Sequence, residues 1–228
     1  MSFNGNGNHN HNGHNPWWRV WKREPRNLDL AAYRRLAFQL HHGMPRMENA
    51  SRSVLVVTPN ESNVWATGCL ALVTCMAEEL QRPVLLVDAD GEGAVSRALD
   101  SSFSPGLDKF LGQPPKPIQD LVLATSQPNV WFLPKGTSQY SPLPTSPQIA
   151  QESLARLGNN WDFVVIAGGA VLRNSFALSL APHVDKVLLL AIESQSRVAD
   201  IDAAQNALEQ CRAKNVSLVL TQLSETVR

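Results

Sequence analysis

Six short apolar runs, rich in valine, leucine and isoleucine and separated by helical or turn-forming stretches, leave few folds open to this chain. They are SVLVVT (53–58), PVLLVDAD (83–90), VWFLP (130–134), WDFVVIAGG (161–169), KVLLLAI (186–192) and VSLVLTQ (216–222). Continuous apolar runs of this length, without alternation, read as strands buried on both faces. Between them the apolar spacing predicts helices over 28–42, 67–80, 147–157, 173–181 and 198–214. Residues 101–127 read as helices and loops broken by Pro105 and the run from Pro114 to Pro117. Strands alternating with helices predict an α/β fold of three layers, a mostly parallel central sheet flanked by helices.

At 228 residues the chain is long enough for one sizeable core. Residues 28–228 are assigned to it, and residues 1–27 to a tail. The first fifteen residues are almost entirely Asn, Gly and His, too polar to offset the entropy of ordering a backbone. His9, His11 and His14 are imidazoles at short spacing that suit a transition metal, but no cysteine or carboxylate completes a shell, so a solvated tail is the plainer reading. Residues 16–26 interleave Trp17, Trp18 and Trp21 with Arg19, Lys22 and Arg23. Such a segment suits peripheral contact with a lipid headgroup boundary, a partner's groove, or a strap packed on its own domain.

Twenty basic residues balance twenty acidic ones, so no net field draws the protein to nucleic acid. The start of the chain lacks the apolar core of a secretory signal, and no window offers eighteen uncharged apolar residues, which predicts a cytoplasmic protein. Cys69, Cys75 and Cys211 lack CxxC spacing, and the first two sit in an apolar helical run, as buried reduced thiols do.

Ligands of open α/β sheets gather at the carboxyl ends of strands, which directs attention to the turn TPNESNVWATG (58–68). A loop cradling phosphates needs glycines, so that successive amides turn inward, and a lysine for the outer phosphates. Between Val54 and Thr67 there is neither. Asp88 and Asp90, two apart in the second run, would share one side of a strand and can hold Mg²⁺ or position a water, or else one caps the following helix and the other is solvated. The fourth run ends in Ala167, Gly168 and Gly169 where metal-assisted phosphoryl transfer would want an acid. The glycines read as an ordinary strand-to-loop turn in preference to a site of close backbone approach.

Several landmarks carry a resemblance: PVLLVDAD, LDKFLG after Gly106, PNVWFLPKG, WDFVVIAGG, LAPHVDKVLLLAIESQSRVADI, ALEQCRAKNVSLVLTQ and the helix AAYRRLAFQL (31–40). In this order, over roughly residues 28–222, they resemble the cytoplasmic bacterial tyrosine kinases of capsule and exopolysaccharide assembly. Those kinases are P-loop ATPases with a deviant Walker A motif, related to partitioning and septum-site ATPases. The resemblance implies a P-loop NTPase-like fold. It also places the family's functional positions: the Walker A lysine falls on Ala66, its hydroxyl neighbour on Thr67, and the loop glycines on or near Asn63 and Trp65. The second-strand aspartate matches Asp88, with Asp90 two residues on, and the Walker B aspartate falls on Ala167. In the early helix the family's subunit-contact glutamate falls on Ala31 and its second arginine on Ala37, while Arg34 remains. The tyrosine-rich tail of those kinases has no counterpart, since the chain holds only Tyr33 and Tyr140.

What the resemblance implies, with these losses, is a catalytically degenerate kinase-like adaptor with no cofactor and a residual pocket at Thr67, Asp88 and Asp90, Asp88 being the metal ligand if any. Its partner would be the cytoplasmic face of a polysaccharide co-polymerase or an active kinase paralogue, with peripheral membrane contact through Trp17, Trp18 and Trp21. The alternatives are a divergent kinase or ATPase binding Mg-ATP through Thr67, Asp88 and Asp90, and a partitioning or septum-type regulator.

Overall fold

The computed structural model describes residues 28–45, 50–62, 64–112, 114–137, 146–157, 160–193 and 195–222. The histidine-bearing tail, the Trp17, Trp18 and Trp21 segment and Asn63 lie outside them. After helix α1 (Leu30–Gly43), the order is β1 (Arg52–Thr58), α2 (Trp65–Leu80), β2 (Val84–Asp88), α3 (Ala94–Ala98) and α4 (Leu107–Phe110). A 3₁₀ turn (Ile118–Asp120) then leads to β3 (Leu123–Ala124), β4 (Val130–Leu133), α5 (Pro147–Leu157) and β5 (Phe163–Ala170). After a second 3₁₀ turn (Val171–Arg173) come α6 (Ser175–Leu180), β6 (Lys186–Ile192), α7 (Val198–Gln210) and β7 (Val216–Thr221).

The seven strands form one sheet in the order β3-β4-β2-β5-β1-β6-β7, parallel throughout except for β3 on β4. The chain leaves β1 toward β2 on one side and later crosses to β6 on the other, so strand order reverses around β1. That reversal opens a crevice beyond its carboxyl end. Side chains of β1 alternate between two cores. Val54 and Val56 pack with Leu72, Val73 and Met76 of α2, and Leu55 and Val57 pack with Phe176 and Leu180 of α6. Burial on both faces is why β1 and β5 lack polar alternation, whereas β7, read as doubly buried from its apolar run, lies at the outer position of the sheet with Leu218 and Leu220 exposed.

The chain is thus α/β with three layers, as the periodicity predicts. Two details differ. Strand β3 arises within a segment that reads as helices and loops, because two residues paired antiparallel at an edge leave no periodic signature. The second strand stops at Asp88, not at Asp90. Asp90 sits in the following turn, its carbonyl accepting from Gly93 N, so the two carboxylates are not strand neighbours on one side.

Asp29 caps α1 by accepting from the amides of Ala31 and Ala32. Tyr33 reaches across to Thr221 at the carboxyl end of β7, with 3.2 Å between hydroxyls. Arg34 of α1 pairs within the chain with Glu78 and Glu79 of α2. Cys69 and Cys75 are buried in α2, and burial pushes their thiols up to about 12 and about 11, so neither is a ready nucleophile.

Candidate functional site

The crevice at the carboxyl ends of the strands is a polar cavity of about 740 Å³. One wall is the start of α2, with Trp65, Ala66 and Thr67; another is the β2–α3 connection, with Asp90, Glu92 and Arg97. The third follows β5, with Ala170, Arg173 and Asn174. Of the residues singled out from sequence, Ala66, Thr67 and Asp90 meet here. Asp88 does not: it is fully buried and absent from the lining.

The carboxylate of Asp88 accepts from the amide and hydroxyl of Ser96, each at 2.6 Å, and from the amide of Asp90 at 3.2 Å. Burial pushes its carboxyl up to about 6, opposed by the Ser96 bonds. Ser96 in turn accepts from Lys135 N at 2.9 Å, so Asp88 joins β2, α3 and the end of β4. Asp90 accepts from Ala94 N at 3.0 Å, and burial raises its carboxyl as well. Both acids therefore serve as internal acceptors for α3, and neither is solvated as the capping alternative expects of one of them. Among the described residues, no three His, Cys, Asp or Glu side chains are grouped to hold a metal.

The β1–α2 turn is built from side-chain bonds. Ser62 donates to Gln195 Oε1 at 2.8 Å and accepts from Val64 N at 3.2 Å, and Asn60 Nδ2 donates to Gln195 O at 3.3 Å. These contacts hold the turn against the segment after β6. Trp65, the first residue of α2, is only 4% exposed and belongs to the core beneath the sheet's α2 face. Ala167 is fully buried and lies opposite Asp88 in the parallel register of β2 and β5. Among the described residues of this turn there is no lysine and no glycine, Trp65 and Ala66 open α2, and the buried Asp88 carboxylate already accepts three hydrogen bonds. Two cations do line the cavity. Arg173 pairs with Glu61 at 2.6 Å, both side chains well exposed, and Arg97 donates to the carbonyl of Glu92.

The glycines at the tip of β5 depart from the turn reading. The strand continues to Ala170, and the register slips so that Val56 faces Ala167 while Val57 faces Gly169, leaving Gly168 as a bulge. Gly169 has φ +65°, and a Cβ there would stand 2.4 Å from Asp90 Oδ1. Close approach is what these glycines permit.

Asn174 goes unnoticed in the sequence. Its Nδ2 donates at 2.7 Å to both Ala89 O and Gly168 O, and its Oδ1 accepts from Ala177 N as the cap of α6. It ties the tips of β2 and β5 where they meet the cavity. An Asn opening the apolar stretch 176–180 is the signal that marks it as a cap; its cross-strand bonds have no local signature. Asn174→Ala should cost about 2 kcal/mol, from a lost cap and two orphaned carbonyls, measurable by chemical denaturation.

The sequence matches no known family profile. It is 25% identical over 174 residues to a protein of Emiliania huxleyi described as a septum site-determining protein MinD, covering 75% of this chain and 63% of that one. The chain therefore spans less than two thirds of the length of that relative. Among solved structures, the kinase domain of Escherichia coli tyrosine kinase ETK superposes with TM-score 0.75 at 19% identity, over 96% of this chain and 85% of that one. The kinase domain of VpsO superposes with TM-score 0.71 at 21% identity, over 86% and 94%. These likenesses establish the fold as that shared by tyrosine kinase domains and MinD-type proteins. Among the described residues no helix is long and apolar enough to cross a membrane.

Proposed function

We propose that this chain is a catalytically degenerate member of the bacterial tyrosine kinase group, acting as an adaptor in capsule or exopolysaccharide assembly. It would bind the cytoplasmic face of a polysaccharide co-polymerase or an active kinase paralogue. The observation that carries the reading is the start of α2, where buried Trp65 and Ala66 stand at the positions onto which the resemblance puts a loop glycine and the Walker A lysine. Ala167 supports it: an acid at that position would face the buried, triply bonded Asp88 across one register step. Loss of a phosphate cradle, its lysine and a metal-orienting acid removes the electrostatic stabilisation on which phosphoryl transfer depends.

A second reading, a divergent ATP-binding protein of the same pathway, is favoured by the cavity itself, which is polar and sets Thr67, Arg97 and Arg173 beside the acids Glu61, Asp90 and Glu92. The likeness to a septum-site protein supports a third, that of a positioning regulator. Calorimetric titration of the purified chain with Mg-ATP separates the first reading from both others. The adaptor reading expects no heat of binding at about 1 mM nucleotide, an affinity weaker than roughly −4 kcal/mol. Micromolar binding, or hydrolysis, overturns it. Pull-down with the cytoplasmic segment of a co-polymerase then tests the partner.

A further inference from the structure

A second cavity, of about 300 Å³, opens at the amino ends of β2, β4 and β5, the opposite end of the sheet from the polar crevice. Two indoles line it. Trp131 is the second residue of β4, and its neighbours Val130 and Phe132 pack into the core on the α1 face. Alternation turns Trp131 to the other face, where it meets Trp161, just ahead of β5. Bonds outside the cavity hold these walls in place. Trp161 Nε1 donates to Leu157 O at 3.2 Å, Trp161 O accepts from the hydroxyl of Ser51 at 2.6 Å, and Pro83 O accepts from Asp162 N at 2.8 Å. Ile118 and Val122 on a further wall are tied by Val122 N donating to Ile118 O at 3.0 Å. A site fixed in this way loses little freedom on binding.

The lining selects the ligand. Among the described residues no charged side chain lines the cavity, so a phosphate, a carboxylate or a cationic peptide finds no counter-charge there. The indole centroids are 5.9 Å apart, with the ring planes at 55°. A flat ring sandwiched between two others needs about 7 Å, twice the ~3.5 Å of carbon contact. The pair therefore offers a bent apolar surface to one face of a ligand, not a slot for an aromatic plate. The carboxamides of Gln119 and Asn160 stand exposed at the same cavity, and no hydrogen bond with another described residue engages either. Each brings donors and an acceptor. A neutral pyranose matches both features: the C–H bonds on one face of its puckered ring lie against indole carbon, and its hydroxyls donate to and accept from carboxamides. A cavity of about 300 Å³ is at the small end of ligand pockets, with room for a sugar ring and not for the successive turns of a polyproline peptide.

We propose that this cavity binds a neutral hexopyranose unit, stacked on Trp131 and Trp161 and hydrogen-bonded by Gln119 and Asn160. The inference does not depend on the nucleotide or adaptor readings. The ¹⁵N-labelled full chain is titrated separately with methyl β-glucopyranoside and methyl β-galactopyranoside to about 50 mM, enough to saturate a millimolar site. At least one sugar should shift the indole N–H signals of Trp131 and Trp161 saturably and leave that of Trp65, in the α2-side core, unmoved. Gln119→Ala and Asn160→Ala, both at exposed positions, should keep the wild-type Tm and each raise Kd about fivefold. No saturable shift with either sugar, sugar binding that both alanine variants leave unchanged, or a shift of the same two indoles by a capped pentaproline peptide in place of the sugars would each overturn the proposal.

Discussion

Gly169→Ala should lower stability by about 3 kcal/mol, from backbone strain and the loss of a helix cap. The residue holds φ +65°, a conformation that side chains disfavour, and its Cβ would meet the Asp90 carboxylate at 2.4 Å. Asp90 would have to turn away, releasing Ala94 N at the start of α3. For a domain of about 200 residues this corresponds to a fall in Tm of about 6–12 °C, read by calorimetry. Adding Asp90→Ala distinguishes the causes: if the collision dominates, the double variant loses less than the two single costs combined. Simple additivity would show that the contact between Gly169 and Asp90 is not responsible.

The second large effect depends on pH. Asp88 is fully buried, with its carboxyl pushed up to about 6 against an ordinary value of 3.8. Between these values the folded chain holds a proton that the unfolded chain has released, so this group's contribution to stability falls as pH rises from 3.8 to 6. The interval corresponds to about 3 kcal/mol. Burial raises Asp90 in the same direction. Asp88→Asn removes the titrating group while retaining an acceptor for Ser96. The difference in unfolding free energy between wild type and variant should therefore shift by about 2 kcal/mol between pH 4 and pH 7, with wild type relatively more stable at the acidic end. A difference that stays flat across this range would mean that Asp88 is not held as a desolvated carboxyl.

Both predictions concern the same few ångströms of structure, where the ends of β2, α3 and β5 meet. The polar groups of this junction are turned on one another. Asp88 bonds Ser96, Ser96 bonds Lys135, and Asn174 bonds the carbonyls of Ala89 and Gly168.

Much of this architecture was legible from residue order alone, because a strand buried on both faces must be apolar at successive positions. Runs such as 186–192 and 53–58 therefore announced themselves, and the helix over 147–157 was readable from its periodicity. The missing lysine and glycines of the β1–α2 turn were equally plain, since residue identity is local information. Tertiary structure alone decided how the acids are used. Asp88 and Asp90 looked like neighbours on one strand, yet the chain turns after Asp88, burying one carboxylate against Ser96 and leaving the other at the cavity wall. Ser96, Asn174 and the bulge at Gly168 acquire their roles from partners 8, 85 and more than a hundred residues away. Hydrophobic periodicity records which face of an element is buried, whereas hydrogen bonds between elements depend on how strands stack, and nothing in a linear order encodes that distance.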